Sequence, residues 1–484
     1  MEEVAQKREI NVQKIKEILN SKWLIFVLAF IIVFFWAIDF PYVSLPILLV
    51  HEGLVLYFCR EDIKAFLFPV VAISYSITSI HATGLGNWIF YLSIFGLFII
   101  FLILYIIREK VKYKRKFKMG KLFPAFFLAG IGNMLGGIIG FFDIKIFLIV
   151  TFFCVLVCFL YWLFINFLSN DDKKYVAYVL IGVTAVICAE ILIAYIRFGD
   201  FFLAVSYKAI RVGSGEINAA AIFMMSGVCS CFYLARGNKF DYLYLLLAVL
   251  FDCFVYLTYS RIALAICALA TLVYFIVVFK DSPNKKLILI ALAIILSIVG
   301  VLVGIFWDKM VDFFGFYLKM GFNKNGREYL WKWCFYQFED NILFGIGFVT
   351  REEEVIRGVI PGLQNLGIGI EIVYAHNTML HFLTCTGLVG TILNLFLYYK
   401  KYQMVFTKFN KFKFYALMNY ICIFIAGCFD PTPNKSIFHI AVSILFMALV
   451  ELDNEKQEPW EIYFGQRKQA KFVIKKYKRT YAKN

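Results

Sequence analysis

Arg261, Arg327 and His376 are far apart in the sequence, but their side chains have the groups needed for chemistry on a phosphate-bearing substrate. An imidazole takes up and releases a proton near neutral pH, as a general base must. A guanidinium grips phosphate oxygens through a rigid planar fork. His376 lies in Tyr374-Ala375-His376-Asn377-Thr378-Met379-Leu380, where the polar interval 307–375 meets the next apolar run. The same interval carries Arg351, Arg357 and Glu371. Arg261 follows Tyr259-Ser260 at the border between two apolar runs, where a cation either snorkels to water or clamps an anion.

Arg327 belongs to Asn325-Gly326-Arg327-Glu328-Tyr329-Leu330-Trp331. Asn325 and Glu328 have capping-box spacing, which predicts a helix start that attracts an anion; a plain interfacial helix with Arg327 solvated is the alternative. Trp331, Cys334, Phe335 and Phe338 fall on one helical face, as expected of a helix lying on a membrane. Asn341-Ile342-Leu343-Phe344-Gly345-Ile346-Gly347 then reads as a flexible turn where backbone can approach a ligand. Among the other histidines, His51 and His439 read as buried, hydrogen-bonded structural groups. His81 falls in a short loop, and His381 reads as packing below His376. The acids Glu52, Glu190 and Asp252 inside apolar runs are what a transporter would use, but they are isolated and structural pairing is the simpler reading.

The elements that position these groups follow from composition. The chain has 484 residues, 62% hydrophobic and 19% aromatic, with a mean hydropathy of +0.77. Runs of about 20 apolar residues recur from end to end, so the fold class is all-α, a polytopic membrane protein of about fourteen transmembrane helices. A lipid-spanning barrel would alternate in short segments instead. The spans are expected at 23–39, 41–59, 65–80, 88–107, 122–141, 146–168, 175–196, 218–235, 242–259, 262–279, 287–306, 377–399, 414–429 and 436–451. Gly132-x-x-x-Gly136-x-x-x-Gly140 in the fifth is a close-packing signal.

Net charge is +16. No basic aromatic domain accompanies it, so nucleic acid is not the expected partner. One set of alternate loops holds roughly 36 of the lysines and arginines, which puts that set and both termini in the cytoplasm. The expected organisation is a cytoplasmic segment 1–22, spans 23–306, one large extracytoplasmic loop 307–376 with interfacial helices, spans 377–451 and a basic cytoplasmic tail 452–484. The first apolar run lacks a cleavage signature and is expected to stay as an anchor. The twelve cysteines lie almost wholly in apolar runs, where they behave as small apolar residues, and no Cys/His cluster suggests a metal. Cytoplasmic segments are too short to fold a nucleotide-binding domain, and no phosphate-loop motif occurs. An enzyme of this topology must take a donor that arrives attached to lipid.

The ordered set Ser260-Arg261, Arg327-x-x-Leu330-Trp331, Gly345-x-Gly347, His376-Asn377-x-x-Leu380 and Gly387-Leu388-x-Gly390 resembles the O-antigen ligase and polysaccharide polymerase superfamily over about residues 245–400. The resemblance implies a multi-span, inverting glycosyltransferase without metal or other cofactor, in a bacterial cytoplasmic membrane. Its donor and acceptor would be undecaprenyl diphosphate-linked oligosaccharides. His376 would then be the general base for the acceptor hydroxyl, and Arg261 and Arg327 would hold the diphosphate. Arg197, Arg211 and Asn377 are further candidate contacts. Polymerisation of repeat units for capsule or O-antigen, with a flippase and a chain-length regulator as partners, is the expected activity. Ligase-type transfer to another acceptor, and a polysaccharide transporter, are the alternatives.

Overall fold

The structure is a computed structural model that describes the chain outside residues 1, 60–61, 79–87, 140–143, 200–211, 213–216, 259, 306, 309–310, 312–326, 352–369, 373–374, 376, 430–436 and 456–484. Among the described residues each of the fourteen apolar stretches holds a helix, because an apolar run can satisfy its backbone only internally. In chain order the helices are α1 Glu2–Leu19, α2 Lys22–Ala37, α3 Ser44–Phe58, α4 Leu67–Thr78, α5 Trp88–Val111, α6 Phe123–Ile139, α7 Ile144–Phe167 and α8 Lys173–Phe198. They continue as α9 Ile217–Ala235, α10 Asp241–Leu257, α11 Arg261–Asp281, α12 Lys285–Ile305, α13 Arg327–Asp340, α14 Thr378–Phe406, α15 Lys411–Gly427 and α16 Ile437–Glu455. Among the described residues, five helices are long and apolar enough to cross a membrane, or six if α1 and α2, bent by 57°, count as one. Helix α3 and helix α6 are apolar but shorter.

Helix α9 is the axis of the bundle. Nearly all its side chains are buried, and it packs against α8, α10, α11 and α15. Its small residues Ala219, Ala220, Ala221, Ser226, Gly227 and Ser230 let neighbouring backbones come close. A methyl group at Gly227 would collide with Thr184 of α8. Asp252 accepts hydrogen bonds from Cys267 Sγ (2.8 Å) and Thr271 Oγ1 (2.7 Å), so its expected structural pairing is present. Glu52 departs from that expectation. It is fully buried, and among the described residues neither carboxyl oxygen has a hydrogen-bond partner; both ring nitrogens of the adjacent His51 likewise have none there. His439 is buried against the Phe223 ring, with centroids 4.3 Å apart. All twelve cysteines are free thiols.

One end of the bundle is closed by charged side chains. Asp453 of α16 accepts hydrogen bonds from Lys173 and Asn410 and lies 3.3 Å from Lys413 Nζ. Lys413 also donates to the carbonyls of Thr407 and Lys408 and to Asn454 Oδ1. Glu451 accepts from Tyr161 and from the Lys121 backbone, and Glu455 from Lys118. Arg236 pairs with Asp281 (2.8 Å), and its carbonyl accepts from Lys411. These residues lie in or beside the lysine-rich loops, and this is termed here the lysine-rich end.

Candidate functional site

The far end is built around helix α14. Asn377 caps it with Oδ1, accepting from the backbone of Met379 and Leu380 at 3.0 Å each. That is an ordinary N-cap, which satisfies amides with no partner inside the helix. The helix is broken at Gly387, where φ is 59° and ψ is −162°. The interval 342–347 fills the break with backbone. Ile346 N and Gly347 N donate to the carbonyls of Thr384 (2.9 Å) and Cys385 (3.0 Å). Leu388 N and Val389 N donate to the carbonyls of Ile342 (2.8 Å) and Leu343 (3.1 Å). A stretch that reads as a flexible turn is therefore a fixed element tied into a helix.

Glycine makes this contact possible. Gly345 has φ 71°, and a Cβ there would lie 2.5 Å from the Thr384 carbonyl oxygen. A Cβ at Gly387 would collide with the Leu343 backbone. Helix α6 seals the other side. A Cβ at Gly132 would sit 2.9 Å from Gly390 Cα, and one at Gly136 would sit 2.5 Å from the Cys385 oxygen and 3.1 Å from the Phe344 oxygen. Asn394 donates to Asn133 Oδ1 at 2.9 Å one step below. Gly140, the last glycine of that repeat, lies outside the described residues.

The break also turns the head of α14 sideways. From Phe406 to Gly387 the helix rises roughly 29 Å, and α15 rises roughly 24 Å from Lys411 to Gly427, at about 1.5 Å per residue. Only four residues separate Phe406 from Lys411, so the two climbs start at a similar level. Thr378 Oγ1 nevertheless donates to the Gly427 carbonyl at 2.9 Å. A straight α14 would overshoot that carbonyl by roughly 18 Å. The first turns of α14 must run across the end of the bundle, from α15 toward α6.

Helix α13 packs on this transverse segment. Trp333, Cys334, Ala375, Leu380 and Cys385 form a small second core, flanked by Leu330, Trp331, Ile346 and Phe348. Trp331 Nε1 donates to the Ala375 carbonyl at 2.7 Å, and Thr384 Oγ1 lies 3.3 Å from the Cys334 carbonyl. The buried side overlaps the expected stripe at Trp331 and Cys334 but adds Trp333, while Phe335 stays exposed beside Tyr336. The reason is the turned head of α14, which meets α13 along the Leu330–Trp333–Cys334 side. Burial pushes the Cys334 thiol up to about 11, with Thr384 acting in the opposite direction, so Cys334 is no thiolate nucleophile near neutral pH. The interval also contains a short antiparallel strand pair that sequence reading did not anticipate, β1 Val349–Arg351 and β2 Ile370–Ile372, with Thr350 opposite Glu371.

Arg327 is the first residue of α13, as the motif predicts; its side chain and the expected cap Asn325 lie outside the described residues. His376 and Arg211 lie outside them as well. Arg261 opens α11 and is exposed. Helix α11 runs antiparallel to α15 and packs on it, with Asp281 at the lysine-rich end, so Arg261 is at the same end as Gly427 and Thr378. Arg197 is there too, because Tyr195 Oη donates to the Leu257 carbonyl at 2.5 Å just before Arg261. Arg197 is already engaged by Asp39 (2.9 Å), the Ala37 carbonyl (2.5 Å) and the Trp36 ring, so an anion there competes with a carboxylate. The structure thus brings Arg261, Arg197, Asn377 and the start of α13 to one end of the bundle. Asp39 was not legible as a site feature, because it carries no motif, and Trp331 stood in a motif that did not reveal its bond to Ala375.

No curated protein matches the chain. Residues 243–395, from α10 through the break in α14, match a family model described as O-Antigen ligase. That stretch contains Ser260-Arg261, Arg327-x-x-Leu330-Trp331, Gly345-x-Gly347, His376-Asn377-x-x-Leu380 and Gly387-Leu388-x-Gly390, the motifs that carry the resemblance. Over this segment the chain is similar to the O-antigen ligase family.

Proposed function

We propose that the protein polymerises undecaprenyl diphosphate-linked oligosaccharide repeat units into capsular or O-antigen polysaccharide at the outer face of a bacterial cytoplasmic membrane. The family assignment supports transfer of lipid-linked glycans, and supports polymerisation and ligation equally. The observation that carries the reading is the common placement of Arg261, Asn377 and the start of α13, opposite the lysine-rich end. Lysine-rich loops face the cytoplasm, which makes the far end extracytoplasmic and both termini cytoplasmic. Fourteen spans and an outer loop 307–376 complete the topology.

In the proposed reaction His376 takes the proton from an acceptor hydroxyl. The oxygen attacks the anomeric carbon of the donor from the face opposite the phosphate, and the sugar–phosphate bond breaks with inversion. Undecaprenyl diphosphate leaves, and its added negative charge falls on Arg261 and Arg327. Fixed cations in a site with little water stabilise such charge far more than they do in bulk solvent. No metal is needed in this scheme. Arg197 and Arg211 are further contacts, and a flippase and chain-length regulator are the expected partners.

His376→Ala should leave the protein in the membrane and abolish long-chain polymer; normal chain-length ladders from that variant would remove His376 from the mechanism. Arg261→Lys and Arg327→Lys should each lose most activity, since a point charge does not replace a bidentate fork. Activity of purified protein should survive EDTA, and strict dependence on added magnesium would count against diphosphate binding by arginine. Product analysis with a lipid-linked repeat unit as sole glycan separates polymerase from ligase.

A transporter is the second reading, favoured by the unpartnered Glu52 and His51 in α3. Glu52→Gln separates the two. Loss of function there with a silent His376→Ala would favour transport.

A further inference from the structure

A break in an apolar helix leaves backbone groups that lipid cannot satisfy, so it persists only where protein or a cavity covers it. In α14 the cover is complete on two sides. The interval 342–347 contributes four backbone hydrogen bonds across Gly387, and α6 lies against both partners through Gly136. Gly345 and Gly387 have positive φ and no room for a Cβ, so the seam is backbone against backbone. A side chain can rotate out of a contact, but a backbone pairing of this kind holds one register.

The break is also kept at a local cost. Thr391 is buried, and its hydroxyl has no partner among the described residues. In an intact helix a threonine bonds the carbonyl four residues back, as Thr384 and Thr386 do with Leu380 and Phe382. For Thr391 that carbonyl belongs to Gly387, the residue whose ψ departs from helical geometry. A straight helix would relieve this hydroxyl, and would also lift Thr378 away from Gly427 and detach α13 from its seat.

We propose that Gly136, Gly345 and Gly387 are positioning residues. Their seam fixes the head of α14, with Asn377, relative to the start of α13, with Arg327, and so sets the geometry of transfer without touching substrate. The inference rests on the glycan-transfer reading above. It assigns turnover, rather than substrate affinity, to a contact made away from the reacting groups. A misplacement of about 1 Å between reacting groups lowers rate by as much as about 100-fold, while binding contacts that remain formed keep KM nearly constant.

The test uses full-length protein in nanodiscs with a lipid-linked repeat unit as substrate, read by hydrogen exchange and by steady-state kinetics. Gly387→Ala should lose protection at the amides of Ile346, Gly347, Leu388 and Val389 and keep it at the lysine-rich end. Its kcat should fall about 10- to 100-fold, with KM changed less than about twofold. Gly136→Ala, which demands no unusual φ, should shift both readouts in the same direction by less, and serves if Gly387→Ala does not fold. Gly137→Ala, with nothing within 4 Å of its added Cβ, should change neither. Unchanged kcat in an active protein whose seam amides have lost protection would overturn the positioning role. A raised KM at constant kcat would do the same, showing a binding contact instead. Retained protection in both Gly387→Ala and Gly136→Ala would also overturn it, because the seam would not depend on these glycines. Absence of glycan transfer by the parent protein would instead sink the functional reading itself, and the proposal with it.

Discussion

The two ends of the bundle solve the same packing problem with different chemistry. At the lysine-rich end, side chains do the joining: Asp453, Lys173, Lys413 and Asn410 bind α8, α15 and α16, and Glu451 with Tyr161 binds α16 to α7. Burial pushes the Asp453 carboxyl up, but Lys173, Asn410 and Lys413 outweigh that and hold it below the usual range. At the far end Arg197 pairs with Asp39, but around the break in α14 the join between 342–347, α6 and α14 is made by glycine and backbone. Ion pairs hold distant helices together but consume the charges that form them. A glycine seam uses no charge, and Arg261 is exposed at the same end of the bundle.

The comparison breaks most sharply at Asp453. Asp453→Asn leaves Lys413, 1% exposed, without its carboxylate and should cost about 3–5 kcal/mol in reversible detergent unfolding. A cost under about 1 kcal/mol would mean that the ion-pair network does not hold that end together. Next is overpacking at the far end. Gly132→Ala, against the Gly390 backbone, should destabilise by about 1–3 kcal/mol, whereas Gly300→Ala, in open space, should stay within about 0.5 kcal/mol. Equal effects would deny the seam its tight packing.

Asn377→Ala removes the cap of α14 and should cost about 1 kcal/mol, largely restored by Asn377→Ser, since either oxygen accepts from the first-turn amides. If Asn377→Ser regains stability but not transfer activity, Asn377 also touches substrate. The smallest effect expected is one of pH. A carboxyl held below its ordinary value of 3.8 adds stability that is fully present above 3.8 and is lost as pH falls below it toward the folded-state value. Melting temperature between pH 5 and 3 should therefore drop less in Asp453→Asn than in the parent; parallel curves would show that Asp453 does not carry the acid sensitivity.

Much of the helical architecture was legible in the sequence, since among the described residues each of the fourteen apolar stretches holds a helix, five or six of them long enough to cross a membrane, and Arg327 opens a further helix. The charge asymmetry marked the end that the structure closes with ion pairs. The far end was legible only in pieces. Gly132/Gly136, Gly345/Gly347 and Gly387/Gly390 each stood out, with three separate readings: helix packing, a flexible turn and a family motif. They are one contact. The stripe expected on α13 is only partly covered, Trp331 and Cys334 but not Phe335, for a related reason: periodicity selects an apolar stripe but cannot say which part of it a neighbour will cover.

The sequence by itself determined where helices form, because a backbone in an apolar run must bond to itself, a demand met locally within a few residues. Only the tertiary structure decided that α14 breaks, that 342–347 fills the break and that the head of α14 turns to meet α13. Those outcomes depend on backbone contacts between segments widely separated in the chain. Such contacts leave no periodic trace along it, only glycines whose partners appear when the chain is folded.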